Sequence, residues 1–380
     1  MSARRRDMRS KTHDYLEDAP SSYSSVTLDK ERLLELIGKI NAKRSLASLR
    51  RQTDALKQAI RSYDNNGDSL FISPSNGNAV SLRRDILVAE LDQILEARTI
   101  ERARYYLKRL ERGLKQARTS GINDINLMRW KEYEEVITDS LWDFPKRDTT
   151  GAHLGWYWGN FVPQIPRQLM LRYTKRGDLV LDAFAGSGTT LIECRRLGRN
   201  GIGIELNAQV ARKAAALVAK ESNPHSVITE IITADARTVD ARRALAGFPK
   251  RQVQLIVMHP PYHDIISFSK DEKDLSTAKT TDEFLNLFGE AVANLAPLLE
   301  RGRYLALVIG DKYSKGEWIP LGFQCMNQVL ERGFSLKSVV VKNFEETRAK
   351  RDQKQLWRYR ALAGGFYVFK HEYIFVFKKR

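Results

Sequence analysis

The chain has 380 residues, 42% of them hydrophobic, with a formal net charge of +17 and a pI near 9.8. That length allows one substantial core and a smaller accessory element, and no apolar run approaches the roughly 20 residues a membrane helix needs. Two isolated cysteines, Cys194 and Cys325, exclude a disulfide framework or a cysteine-based zinc cluster and suit a reducing cytoplasm. The surplus of positive charge favours a polyanionic partner, because each phosphate neutralised by Lys or Arg releases condensed counterions.

Residues 1–27 are polar and charged and predict a mobile basic arm; no apolar stretch follows Met1–Ser10, so the arm is not a secretory signal. From Leu28 to about Ser62, Leu33, Leu34, Leu36, Ile37 and Ile40 recur at helical spacing. A breaker over 64–68 and a polar loop over 73–77 separate this from a second helical pattern, Leu82 to about Arg118, ending at Gly121. Residues 28–123 thus read as a helical accessory region, an α-helical hairpin or small bundle with Arg and Lys on its polar face. Capping the next domain, gripping DNA and dimerisation are all open for it.

From Asp124 to Arg380 the composition changes. Aromatics cluster over 130–161, and then short β-branched runs alternate with helical patterns. Strands are predicted near 178–183, 201–205, 228–233, 253–258, 303–309, 336–342 and 372–378. Helices are predicted near 189–198, 207–220, 236–246, 282–299 and 321–332. Such alternation implies a doubly wound α/β sheet of seven strands. No helical pattern separates the last two strands, which predicts an antiparallel closing pair.

Asp182-Ala183-Phe184-Ala185-Gly186-Ser187-Gly188-Thr189-Thr190 follows the apolar strand Leu179-Val180-Leu181 and opens a helix. Glycines at 186 and 188 let the backbone turn sharply and approach a ligand where a Cβ would intrude. The next strand ends in Glu205, 19 residues after Gly186, placed to accept hydrogen bonds from ribose hydroxyls. The third strand leads to Asp235, where an adenine amino group can be read. No Lys follows the second glycine, which disfavours a phosphate-binding loop, and the third glycine of a dinucleotide fingerprint is missing.

The run Phe184 to Thr190 resembles the cofactor loop of the DNA amino-methyltransferases, the N4-cytosine and N6-adenine methylases. The resemblance covers roughly residues 155–380. It implies the Rossmann-like class I methyltransferase fold and S-adenosylmethionine as cofactor. Phe184, Gly186, Gly188 and Thr189 would form the loop, with Asp182 near the methionine end. A proline-containing segment in the family lines the methionine pocket, which carries over to Asn160 and Phe161 of Gly159-Asn160-Phe161-Val162-Pro163.

The apolar strand Val253–Met258 runs into His259-Pro260-Pro261-Tyr262. Paired prolines stop the ladder and fix the backbone, at the strand end where ligands bind in doubly wound sheets. The family pattern is a polar residue, two prolines and an aromatic. An exocyclic amino nitrogen is a poor nucleophile because its lone pair is delocalised into the ring. Acceptors aimed at its two protons, the Pro260 carbonyl and the side chain at 259, pull it toward tetrahedral geometry. Tyr262 offers a face on which a flipped-out base can stack. The family carries Asp, Asn or Ser at the first position, and His259 departs from it. A neutral imidazole has one acceptor nitrogen and an imidazolium none, so activity is expected to fall steeply below about pH 6.5, the unperturbed histidine value. His263 and Asp264 adjoin the site and are candidates to orient His259 or touch the target strand.

Two polar, charged segments are candidate DNA readers. One is the loop Ser267–Thr281, which shows no apolar face. The other is 343–370, where Arg348, Lys350, Arg351, Lys354, Arg358 and Arg360 accompany Trp357 and Tyr359. The expected activity is site-specific methylation of cytosine N4 or adenine N6 in double-stranded DNA with base flipping, in restriction–modification or as a solitary enzyme. A homodimer and a separate restriction endonuclease are compatible partners, and neither metal nor membrane is implied. The alternatives are an RNA base N-methyltransferase and a catalytically silent, S-adenosylmethionine-binding nucleic-acid protein. The cofactor loop precedes the tetrapeptide, an order that leaves cytosine and adenine both open.

Overall fold

The computed structural model describes residues 25–62, 70–73, 77–343 and 354–380. The basic arm up to residue 24, the 64–68 breaker, residues 74–76, and Arg348, Lys350 and Arg351 lie outside the described residues. The chain divides into two compact units, one of residues up to 118 with 126–134, the other of 119–125 and 135–380.

In the first unit, β1 (Ser25–Asp29) pairs antiparallel with β2 (Ala79–Arg83). Four helices accompany them: α1 (Lys30–Asn41), α2 (Leu46–Arg61), α3 (Arg84–Glu96) and α4 (Ile100–Lys115). Each expected long helical stretch is cut by a capping side chain. Ser45 accepts from the Ser48 amide at 3.2 Å and restarts the first as α2, and Thr99 accepts from Arg102 and restarts the second as α4. Leu33, Ile37 and Ile40, then Leu49, Leu56 and Ile60, then Leu87, Leu91 and Ile94 are buried at the spacing of one helix face, which makes this a small bundle. The last residues of the expected arm, Ser25 to Thr27, form part of β1, a strand too short to signal in the sequence.

The second unit is built on one sheet. Its strands are β3 (Leu141–Asp143), β4 (Leu179–Asp182), β5 (Asn200–Glu205), β6 (Thr229–Thr233), β7 (Val253–Met258), β8 (Leu299–Ile309), β11 (Phe334–Asn343) and β12 (His371–Lys379). A separate hairpin, β9 (Lys312–Ser314) and β10 (Glu317–Ile319), follows β8. Sheet order is β3-β11-β12-β8-β7-β4-β5-β6, with β12 antiparallel to both neighbours and the other pairings parallel. All seven expected strands are present, and the final pair is antiparallel as its pattern predicts. An eighth, the three-residue β3, adds beside β11 and buries Trp142. The connecting helices are α5 (Gln164–Tyr173), α6 (Thr189–Leu197), α7 (Ala208–Lys220), α8 (Ala241–Ala244), α9 (Thr281–Leu295) and α10 (Leu321–Leu330). The helix expected over 236–246 shrinks to α8 because Asp235 and Asp240 accept from backbone amides two and three residues on, folding the segment into turns. An unexpected helix, α11 (Lys354–Gly364), lies between β11 and β12 in the chain.

Both faces of the sheet are covered, and its strands alternate between two cores. In β12, Phe375 and Phe377 join Phe284 and Phe288 on one side, while Ile374 and Val376 join Ile165, Leu169 and Met170 on the other. Phe375→Ala is expected to cost about 3–5 kcal/mol, against about 1 kcal/mol for Ile374→Val; urea unfolding midpoints of the two variants check this ranking.

Candidate active site

Two loops leave the C-terminal ends of β4 and β7 side by side and open one cleft of about 1700 Å³. The chain after β4 passes through α6 to β5, and the chain after β7 leads to β8 on the other side. The loops therefore diverge, which is the topological switch point at which doubly wound sheets bind ligands.

The glycine loop is shaped by close approach. Gly188 has φ +80°, and a Cβ there would meet Val218 at 2.8 Å; Gly186 has φ +50° and lies under the Tyr157 ring, 3.0 Å from where its Cβ would be. The Gly186 amide donates to Glu205 Oε2 at 2.9 Å, and the Asn207 amide donates to Oε1 at 2.9 Å. Burial raises the Glu205 pKa, and those two amides oppose the rise. Asp182 is 1% exposed and accepts from the Thr190 hydroxyl and the Phe184 amide. Desolvation lifts its pKa to about 6.

Of the residues expected to hold the cofactor, Asn160, Phe161, Phe184, Gly186, Glu205 and Asp235 line the cleft. Asp182, Gly188 and Thr189 do not, because they are spent on the loop itself. Thr189 Oγ1 donates to Asn160 Oδ1 at 3.0 Å and so ties the 159–161 segment to α6. Asp235 faces the cleft with its carboxylate gripped by Arg237, 2.8 Å from Nη2.

Sequence reading passed over Arg147, which lines the same cleft. Its Nη1 donates to the Phe161 carbonyl at 2.8 Å, while Nε and Nη2 are buried without a partner. Desolvation lowers its pKa. Nearby, Asp148, His153 and Glu193 bring ligand atoms within 4.8 Å of one another. Arg196 Nη1 lies 3.0 Å from Asp148 and 3.3 Å from Glu193, and Arg167 Nη1 3.4 Å from Glu193, so guanidinium groups already pair with both carboxylates.

All four tetrapeptide residues line the cleft. The His259 ring meets Phe161 edge-on at 4.8 Å between centroids, and its Nε2 is 3.4 Å from Tyr262 Oη. Tyr262 Oη donates to Glu372 Oε2 at 2.8 Å, and Lys342 Nζ stands 3.1 Å from Glu372 Oε1. Lys342 and Glu372 face one another across the β11–β12 ladder and also line the cleft. Burial and the neighbouring carboxylate raise the Tyr262 pKa well above that of free tyrosine.

Desolvation lowers the His259 pKa to about 4, with Glu372 opposing and Lys342 assisting. Burial around the ring disfavours the imidazolium, so the neutral form, and any activity that rests on it, is expected to persist well below pH 6.5. His263 is also reassigned. It is 3% exposed, at φ +52°, with Nε2 2.8 Å from the Ala278 carbonyl and Nδ1 3.1 Å from Lys312 Nζ. Asp264 pairs with Lys312. Both residues anchor the loop, and neither is bonded to His259.

The loop Ser267–Thr281, read as having no apolar face, buries part of its length. Leu275 and Ala278 are buried in the core, and Phe268 stacks on Tyr157 at 5.7 Å, so the loop covers the glycine turn. Its apolar residues are spaced too irregularly to announce a face. In α11, Trp357 reaches the cleft with Arg360 5.3 Å over its ring, while Tyr359 and Leu362 are mostly exposed.

The sequence matches the family described as DNA methylase over residues 91–216 and 253–380. It is 38% identical over 85 residues to the Type II methyltransferase M.MjaII of Methanocaldococcus jannaschii, covering 20% of this chain and 16% of that protein. It is 34% identical over 90 residues to the Type II methyltransferase M.SmaI of Serratia marcescens, covering 22% and 31%. The chain thus spans under a third of the length of each of these two relatives. A SAM-dependent methyltransferase structure from Methanosarcina mazei aligns at 14% identity and TM-score 0.35, over 54% of this chain and 93% of that one.

Because the folded ring resists protonation and the unfolded one does not, the stability His259 contributes is complete above about pH 6.5 and is lost as pH falls toward 4. NMR titration of the His259 ring should show it neutral at pH 5 and half-protonated near 4.

Proposed function

The chain belongs to the DNA methylase family, and from that premise we propose that it methylates an exocyclic amino nitrogen, cytosine N4 or adenine N6, of a base flipped out of duplex DNA. The observation that carries this reading is the meeting of the glycine loop and His259-Pro260-Pro261-Tyr262 in a single cleft. The methyl donor is S-adenosylmethionine, which when bound supplies an electrophilic methyl carbon.

The cleft fits that donor in two respects. Arg147 holds two buried donor atoms without a partner beside Phe161, suited to a carboxylate. At the other end Glu205 keeps lone pairs for ribose hydroxyls beyond the two amides it already accepts from. Asn160, Phe161, Phe184 and Gly186 would line the bound cofactor, with Asp235 near its adenine. Asp182, Gly188 and Thr189 would act by holding the loop's shape.

On the substrate side, the Tyr262 ring receives the base and the Pro260 carbonyl accepts one amino proton. Neutral His259 accepts the other with the ring nitrogen that has no protein partner among the described residues. The protein's contribution is orientation and fixed dipoles in a site with little water. The exposed Arg358, Tyr359 and Arg360 of α11 adjoin the same cleft and suit phosphate contact and stacking on unpaired bases. The proposed setting is restriction–modification, beside a separate endonuclease, or solitary DNA modification.

Incubation with unmethylated DNA and labelled S-adenosylmethionine, followed by digestion and mass spectrometry, should yield N4-methylcytosine or N6-methyladenine. Label found only in RNA, or nowhere, overturns the reading. His259→Ala should lower kcat by about 100-fold, the scale for removing one preorganised hydrogen-bonding partner, while His259→Asn, which restores an acceptor oxygen, should retain more. The wild-type rate should stay level from about pH 8 to about 5 in so far as His259 sets it.

A further inference from the structure

Resting on the reading above, we propose that Glu372 is a positioning residue that fixes the tautomer of His259 through the hydroxyl of Tyr262. Imidazole has one donor and one acceptor nitrogen when neutral, and a partner on either nitrogen decides which is which. A residue meant to accept an amino proton works only when the nitrogen facing the substrate is the bare one.

The hydrogen-bond chain leaves a single consistent assignment of protons. Lys342 has donors only, and it occupies Glu372 Oε1 at 3.1 Å. The carboxylate has acceptors only, so its 2.8 Å bond at Oε2 takes the one proton of Tyr262 Oη. The phenolic oxygen can then only accept from the His259 Nε2 that stands 3.4 Å away. The proton therefore sits on Nε2, and Nδ1 keeps its lone pair. Nδ1 has no hydrogen-bond partner among the described residues, and the His259 ring lines the cleft. It is thus the atom available to a substrate amino group. Glu372 is buried, and its hydrogen-bonded route to His259 runs through the Tyr262 hydroxyl.

Reversing the chain reverses the tautomer. In Glu372→Gln, Lys342 selects the amide oxygen and turns the amide NH2 toward Tyr262. The phenolic oxygen then accepts from Gln and donates to His259 Nε2, and the imidazole proton moves to Nδ1, where it faces the substrate as a donor. Long-range 1H–15N spectra of the free protein, with the His259 signals assigned through His259→Gln, read this directly. The wild type should show Nε2 protonated and Nδ1 bare; Glu372→Gln should invert the pattern and lower kcat by about 100-fold with cofactor affinity unchanged. Tyr262→Phe, which keeps the ring but breaks the chain, should lose the strong preference for Nε2–H, and adding Glu372→Gln to it should change kcat no further.

A wild-type ring protonated on Nδ1 overturns the proposal, as does a Glu372→Gln protein that keeps the wild-type pattern. If Glu372→Gln does not fold, a Tyr262→Phe protein that retains full preference for Nε2–H overturns it equally. The tautomer is measured without DNA or cofactor. Expected spectra combined with no methylated DNA would therefore refute the proposed reaction and leave the positioning chain standing.

Discussion

The cleft exists because two adjacent parallel strands send their chains in opposite directions. β4 and β7 are hydrogen-bonded neighbours, with Asp182 opposite Val257, yet the loop after one turns toward β5 and the loop after the other toward β8. A crevice at the carboxyl edge is the geometric consequence. Most of the groups singled out at that crevice are delivered by the strands that flank it. The glycine loop comes from β4, Glu205 from the end of β5, the tetrapeptide from β7, and Lys342 and Glu372 from the antiparallel pair beyond β8. Because each of these groups sits at the end of a strand packed on both faces, its position is set by the core and not by the loop that carries it.

The electrostatics of the crevice follow from its depth. Its donors and acceptors are removed from bulk water, so ionisation is disfavoured there unless a partner is supplied. His259 and Tyr262 are held in their uncharged forms, and Glu372 has Lys342 as its counter-ion. A neutral imidazole and a neutral phenol beside a paired carboxylate make a set of directed dipoles that needs no charge movement to stay in place. Such preorganisation is effective because it costs no rearrangement when a substrate arrives. Asp182 follows the same rule by a different route: with no cationic partner among the described residues, its carboxyl is held by the Thr190 hydroxyl and the Phe184 amide.

The parts of this site that sequence could disclose are those in which one short segment carries the whole signal. Val253–Met258 is a strand because every residue in it is buried, and a run of six apolar or packed residues ending in two prolines is unambiguous. Gly186 and Gly188 betray a turn that no other residue would make, and the separation of Glu205 from it is fixed by one helix and one strand. What escaped was set by contact between distant segments. Arg147 reaches the cleft through a loop with no regular pattern, Phe268 is placed by stacking on Tyr157, and Leu275 by burial in the core. The lowered pKa of His259 depends on its enclosure, to which the local sequence is blind. For Lys342 and Glu372 a signal did exist: opposite charges stand in two strands that were expected to pair, one in a largely apolar run. Reading them as partners required the register, which the alternation of Val339 to Val341 with Ile374 to Val376 leaves ambiguous by two residues.

The departure at position 259 and the acid at 372 are best understood together. An asparagine or a serine at the head of the tetrapeptide always has an oxygen lone pair to offer, whatever surrounds it. Imidazole does not, since a neutral ring in the wrong tautomer presents a proton where an acceptor is needed. Histidine therefore becomes usable only in a site that also controls its proton, and control must come from the far side of the ring, away from the substrate. Tyr262 is on that side but is itself ambivalent, able to donate or accept through one oxygen. The ambiguity ends only at a group with acceptors alone, and Glu372 is the first such group along the chain. A single unusual residue in a short motif, His259, thus demands a second one at Glu372, 113 positions on, and the antiparallel closing strand of the sheet is what brings it there.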